Sequence, residues 1–101
     1  MTVYHIALFK CKPDIGPQEL SRFAQFAKTM LGQIPGMLAV EFGEALEFTK
    51  PFTHGFDVGA VVTLSKPEDI GVFAKHPLHD GLMKLRDEFF EEDMLLLDFK
   101  F

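Results

Sequence analysis

Four stretches of the chain have the short apolar patterns that are typical of β-strands. They cover residues 3–10, 37–46, 56–64 and 94–101. The third stretch alternates most clearly, and one parity holds Phe56, Val58, Ala60, Val62 and Leu64. In the first stretch both faces are mostly apolar. The pattern therefore predicts four strands, with apolar side chains on more than one face of the sheet that they form.

Two segments between these strands repeat apolar residues at helical spacing. The first begins at Pro17, which suits a first helical position, and Gly32 and Pro35-Gly36 end it. Its apolar residues are Leu20, Phe23, Ala24, Ala27, Leu31 and Ile34.

The second segment is interrupted by Pro77. The sequence Ser65-Lys66-Pro67-Glu68 matches a capping box and predicts a short helix that ends near Lys75. The proline disfavours helical geometry at the residue before it, so a new helix should start there. The residues that we expect to face inward from this last helix are Leu78, Leu82, Leu85 and Phe89.

The order of elements is β-α-β-β-α-β, without repeats or linkers, in one domain that covers residues 1–101. This order predicts an α+β fold of the ferredoxin-like type, an antiparallel sheet with its helices on one face. The other face then carries an uncovered apolar patch, which is an aggregation liability on a monomer. A second copy packed sheet to sheet would cover it, so we expect a symmetric homodimer that forms a dimeric α/β barrel.

Composition and charge narrow the class of partner. Hydrophobic residues make up 48% of the chain and charged residues 25%, which is typical of a globular protein. The formal net charge is −5, with no cluster of Lys and Arg, so we do not expect binding to nucleic acid. No apolar run approaches the length of a membrane span, and no secretory signal is visible. We expect no membrane association and a cytoplasmic location.

The four histidines are the side chains whose ordinary pKa lies nearest neutrality. His5 lies in a strand among apolar neighbours, where it is either a core residue bonded to backbone or a functional group. His54 lies in a loop and is best read as solvated. His79 follows Pro77 into the first turn of the last helix, where outward-pointing amides favour the neutral imidazole, a general base. The alternative is that His76 and His79 only mark the helix start, with His76 capping or packing.

Other residues add to the candidate chemistry. The His76 and His79 spacing invites a metal, but a proline lies between them and no third ligand is nearby, so we expect no metal. Asp98 interrupts an apolar strand, where it either pairs with a histidine or emerges into water. Cys11 lies between two lysines that would favour a reactive thiolate, although a plain strand residue is the simpler interpretation.

Twelve phenylalanines favour an aromatic interior that is poor in hydrogen-bond donors. Most of them belong in the core. Phe23 and Phe73 are predicted on helices that face the sheet, and a cavity between helix and sheet is a usual place for a small ligand. We therefore expect these two rings to line a pocket for an apolar or aromatic molecule.

Several of these segments together resemble the stress-responsive dimeric α/β-barrel (Dabb) family, over nearly the whole chain. The matching segments are Val3-Tyr4-His5-Ile6, Ile34-Pro35-Gly36-Met37, Val40-Glu41-Phe42-Gly43, Gly55-Phe56-Asp57, His76-Pro77-Leu78-His79 and Leu97-Asp98-Phe99. The most specific of them is the H-P-x-H element before the last helix. The family pairs two ferredoxin-like subunits, which agrees with the homodimer expected above.

The resemblance extends to plant polyketide cyclases of the olivetolic acid cyclase type, which perform an aldol condensation without a cofactor. It implies His79 as base, Asp98 as the carboxylate that orients it, and His5 as an assisting histidine. The substrate would contact Phe23, Phe73, His76 and Val58. Phe73 and Val58 depart from the cyclase pattern, because they stand where a tyrosine and a histidine are found, and the aldol mechanism thereby loses two polar contacts.

These expectations lead to three hypotheses for function. The first is a small cofactor-independent cyclase or lyase that acts on a hydrophobic polyketide-like or aromatic substrate by histidine general-base catalysis. The second is a non-catalytic stress-response protein that binds a hydrophobic ligand in the same pocket. The third, drawn from the wider superfamily, is a haem-binding or oxygenase-type protein.

Overall fold

The computed structural model describes residues 1–101, whose four strands form one antiparallel sheet in the order β2-β3-β1-β4. The strands are β1 (Val3–Cys11), β2 (Met37–Glu44), β3 (Val58–Leu64) and β4 (Phe90–Lys100). The helices are α1 (Pro17–Thr29), α2 (Asp69–Lys75) and α3 (Pro77–Phe89). This strand order confirms the ferredoxin-like α+β fold. None of the helices has the length and apolarity needed to cross a membrane.

The alternation of side chains along the strands decides which residues face the helices. Val3, Ala7 and Phe9 of β1 are buried against the helices, as are Val58 and Val62 of β3. Phe9, Phe23 and Phe90 pack as a group at the centre of this core, with Phe9 stacked on Phe90 at 4.8 Å between ring centroids. The opposite face of the sheet has no helix over it, and Leu95, Leu97 and Phe99 are exposed there.

Element boundaries differ from the predicted ones mainly around β4. The strand begins at Phe90 rather than residue 94, directly after α3. Phe90 is extended and only 2% exposed, and it pairs with Cys11 beyond a register shift that places extra residues in β4. The acidic residues 91–93 interrupt the apolar pattern by which the strand was predicted. They are tolerated because their side chains lie in solvent at the sheet edge.

Three other elements, α1, β2 and β3, are shorter than predicted. α1 ends at Thr29, although Met30 and Ile34 in the turns that follow remain buried. β2 ends at Glu44, and β3 begins at Val58 rather than at residue 56. The predicted loop between these two strands contains a short 3-10 helix, Glu47–Phe52.

The capping box predicted at Ser65 does not form. Ser65 Oγ instead donates a hydrogen bond to the Asp69 carboxylate, and α2 begins at Asp69 without a side-chain cap. The reciprocal contact of a capping box is found at α1, where Glu19 Oε1 accepts from the Gly16 backbone N–H at 2.8 Å. Asp69 is buried because it packs against the tight turn at Gly36, just before β2.

We predict that Gly36→Ala destabilises the fold more than Gly32→Ala. Both glycines have a left-handed backbone, with φ of +84° and +81°, which costs an L-residue about 1–2 kcal/mol. At Gly36 the new Cβ would also overlap the Asp69 carboxylate, whereas at Gly32 it meets open space. Urea unfolding should therefore show a larger loss of stability for Gly36→Ala. Equal losses for the two variants would contradict this packing.

Candidate functional site

A cavity of about 290 Å³ lies between the helices and the sheet. Its walls are mostly apolar and include Phe9, Phe23, Val62, Phe73, Leu82 and Leu96. Four polar side chains also line this helix–sheet cavity: His5, His79, Arg86 and Asp98. A few polar groups set in apolar walls are typical of small-molecule sites, and the volume lies at the lower limit for them.

His5 and Asp98 form a hydrogen-bonded pair on one wall of this cavity. They lie directly opposite each other on β1 and β4, on the parity that faces the helices. His5 Nδ1 lies 2.5 Å from Asp98 Oδ1. Because an ionised carboxylate only accepts hydrogen bonds, the hydrogen of a neutral His5 ring is placed on Nδ1. Nε2 is then the basic nitrogen of this imidazole.

His79 lies in the first turn of α3, which Pro77 starts at N1. The ring of Phe73 contacts both imidazoles edge-on, at 4.8 Å from His79 and 5.1 Å from His5 between centroids. Burial lowers the pKa of His79 below its ordinary value of 6.5, and the neighbouring His5 lowers it further. Asp80 and the Ala74 carbonyl oppose this shift without cancelling it. His79 is therefore held in its neutral form.

The resemblance in sequence implied that Asp98 pairs with His79. In the structure Asp98 pairs with His5 instead. The reason is the strand order, since β1 and β4 are neighbours and their register brings Asp98 beside His5. The signal was present in the sequence, because both residues lie in strands that are adjacent in a ferredoxin-like sheet. Finding it required counting the register between the first and last strands.

The other predicted contact residues divide into two groups. Phe23 and Phe73 line the cavity, as expected. Val58 does not, because it lies on β3 beyond Ala60 and Val62, which are the residues of that strand that reach the cavity. His76 does not line it either, because its Nδ1 caps α3 by accepting from the Leu78 N–H at 3.1 Å.

Three further residues line the cavity without having been predicted from the sequence: Arg86, Met83 and Met94. On α3, Met83 lies four residues after His79 and Arg86 lies seven residues after it. His79, Met83 and Arg86 therefore share one face of this helix. That spacing was the available signal. A charged residue near the end of a helix is usually solvated, which is why it did not stand out.

The sequence profile of the stress responsive A/B barrel domain family matches residues 3–101. The chain belongs to the Dabb family. No curated protein matches it in a sequence search. The likeness to polyketide cyclases in particular therefore stays a prediction from the motifs of the chain.

Solved structures share the Dabb fold at low sequence identity. A dimeric ferredoxin-like protein of unknown function from Jannaschia sp. CCS1 is 13% identical, with a TM-score of 0.86 and full coverage of both chains. The hydroxynitrile lyase of Passiflora edulis is 17% identical, with a TM-score of 0.83, covering 97% of this chain and 91% of the other. A mutant of a cofactor-independent oxygenase from Streptomyces nogalater is 9% identical, with a TM-score of 0.75 and coverages of 98% and 91%.

Cys11 of this Dabb chain is not an activated thiol. Burial raises the pKa of Cys11, and the carboxylates of Asp57 and Glu44 raise it further. The flanking lysines do not offset this effect, because Lys10 pairs with Asp93 at 2.9 Å and Lys12 donates to the Asp87 carbonyl at 2.7 Å. The interpretation of Cys11 as a reactive thiolate is therefore wrong. No three side chains of the types that bind metals come together in the chain.

We predict that the ring of His79 titrates with a midpoint below 6.5 in an NMR pH titration of the folded protein. His5→Gln should raise that midpoint, because a positive charge on the His5 ring opposes protonation of His79. Since the folded state takes up this proton less readily than the unfolded state, the corresponding stability is complete above pH 6.5. It decreases as the pH falls toward the folded-state pKa. A midpoint at or above 6.5 would contradict the proposed environment of the ring.

Proposed function

We propose that this Dabb protein is a small cofactor-independent enzyme of the lyase or cyclase kind, with an apolar or aromatic substrate in the helix–sheet cavity. The observation that carries the proposal is the hydrogen bond between His5 and Asp98 at the cavity wall. A carboxylate that holds an imidazole in one tautomer is a recurring way to prepare a general base. His79 supplies a second, neutral imidazole in the same cavity.

In the proposed mechanism, Nε2 of His5 accepts a proton from a hydroxyl or an activated C–H group of the substrate. Asp98 stabilises the imidazolium that forms. For a cyanohydrin, loss of the hydroxyl proton lets the carbon–carbon bond to the nitrile break, and a carbonyl forms. Cyanide leaves with the electron pair of that bond and takes the proton from the His5 imidazolium. For a β-polyketide, the carbanion adds to a carbonyl and the resulting alkoxide takes the proton. Neither step consumes another reactant.

Proteins of the same fold support an enzyme assignment. One is described as a hydroxynitrile lyase and another as a cofactor-independent oxygenase. The cavity departs from the cyclase pattern because Phe73 has no hydroxyl to hold a carbonyl, and Val58 is outside it. Among substrates of lyases and cyclases, these departures favour one that needs a single base and few further polar contacts.

A non-catalytic role in binding a hydrophobic ligand is the second candidate. The observation that favours it is the apolar character of most of the cavity lining. A haem group does not fit, since a cavity of about 290 Å³ is too small for a wide macrocycle. The catalytic and the binding function share one site and differ in whether the histidines convert the ligand.

We also propose that the protein is a homodimer. The sheet face that carries the exposed Leu95, Leu97 and Phe99 is apolar and has no helix over it. A sheet-to-sheet contact with a second copy would bury this face, and the structural relative from Jannaschia is described as dimeric.

We predict that His5→Ala lowers turnover by about 10²- to 10⁴-fold, the usual contribution of a general base. Mandelonitrile cleavage, followed as benzaldehyde absorbance, tests the lyase arm. Cyclisation of a linear aromatic polyketide, followed by chromatography, tests the cyclase arm. Asp98→Asn should lower turnover less, because it removes the orienting charge but leaves the imidazole in place.

The matched control is His54→Asn, which removes an exposed histidine outside the cavity. Asparagine suits the left-handed backbone at this position, where φ is +53°. This variant should keep full turnover. Turnover that survives both His5→Ala and His79→Ala would refute the catalytic proposal, and binding of the probes without any turnover would leave the binding protein as the function.

For the dimer, we predict sedimentation at twice the 11.4 kDa subunit mass at micromolar concentration. A stable interface should bury about 1,600 Å² in total. Leu97→Lys should give a folded monomer, because it places a charge on the apolar sheet face. Val72→Lys, at an exposed position on α2, should leave the dimer intact. A wild-type protein that sediments as a monomer would contradict the proposal.

A further inference from the structure

Arg86 places a cation at the end of the helix–sheet cavity remote from the histidine pair. It lies seven residues after His79 on the same face of α3, which is about 10 Å along the helix axis. It contacts Met94 on β4, and Met94 precedes Asp98 by four residues, or about 13 Å along the strand. The cavity is therefore elongated, with imidazoles at one end and a guanidinium at the other.

The hydrogen bonds of Arg86 leave one side of the guanidinium poorly satisfied. Nε and Nη2 both donate to Oδ1 of the neighbouring Asp87, at 3.2 and 2.8 Å. Nη1 has only the thioether sulfur of Met94 as its acceptor. A thioether is a weak acceptor, whereas an anionic oxygen makes a short, strong bond to a guanidinium. An anion from a ligand would improve on this contact.

The carboxylate that pairs with Arg86 lies outside the cavity lining. Asp87 is largely exposed, and an ion pair in such a position is screened by water. Asp98, the carboxylate in the cavity lining, is at the other end and is engaged by His5. The apolar walls between the two ends strengthen the field of the guanidinium on anything that enters.

We infer that the ligand of this cavity is an elongated apolar molecule that ends in a carboxylate, with the carboxylate bound at Arg86. Its opposite end then lies beside His5 and His79, where the proposed proton transfer takes place. This inference rests on the proposed function and adds the substrate class to it. Arg86 is a substrate-binding residue here and takes no part in moving the proton.

A matched pair of small ligands tests the inference. The probes are 3-phenylpropanoate and 3-phenylpropanamide, which have nearly the same shape and differ in charge. Calorimetric titration of the whole protein should show the acid binding at least about tenfold more tightly than the amide, with the preference falling as salt is added. In Arg86→Gln the affinity for the acid should fall to that of the amide, while the amide binds as before.

Two further variants separate recognition from general effects of charge and folding. Lys84→Gln removes a positive charge from the exposed part of the same helix and should keep the preference for the acid. Arg86→Lys keeps the positive charge but loses the planar guanidinium, so it should keep part of the preference for the acid.

Equal binding of acid and amide to the wild-type protein would overturn the Arg86 site while leaving a ligand-binding cavity in place. A preference that persists in Arg86→Gln would do the same. Failure of both probes to bind at millimolar concentration would overturn both this inference and the use of the cavity by apolar ligands. The turnover assays with His5 variants address the catalytic step separately.

Discussion

The pairing of the first strand with the last is the constraint on which the candidate site depends. β1 and β4 are adjacent and antiparallel, and their register sets His5 opposite Asp98 on the side that faces the helices. A carboxylate on an otherwise apolar strand face is costly unless it has a partner, and the strand register supplies that partner. The same pairing joins residues that are 93 positions apart in the chain. The site therefore exists only when the sheet is complete.

The break between α2 and α3 controls the opposite wall. Pro77 forces His76 into extended geometry, with ψ of 141°, and α3 starts at once behind it. His76 caps the new helix through Nδ1. Of the two histidines in the H-P-x-H element, His79 is therefore the one that reaches the cavity. Phe73, on the helix before the break, packs against both cavity imidazoles and keeps them in apolar surroundings. A single proline thus separates a structural histidine from a functional candidate.

The electrostatics of the cavity follow from its walls. Burial beside His5 disfavours the cationic form of His79, so His79 is a neutral base at this end of the cavity. Arg86 is the cation at the other end. An apolar cavity with imidazoles at one end and a cation at the other favours one orientation of a ligand whose two ends differ in charge.

The sequence by itself determined the order of elements, because each strand and helix carries its own periodicity and its own start and stop residues. It also pointed to His5 and Asp98, which are polar groups among apolar neighbours, and to His79, which ends the H-P-x-H element before the last helix. It did not determine which of them pair, and the local H-P-x-H motif favoured the wrong partner for Asp98. The tertiary structure decided that, together with the exclusion of Val58 and the inclusion of Arg86. The physical reason is that hydrogen-bond partners and cavity walls depend on strand register and helix rotation, which arise from packing between segments that are distant in the chain.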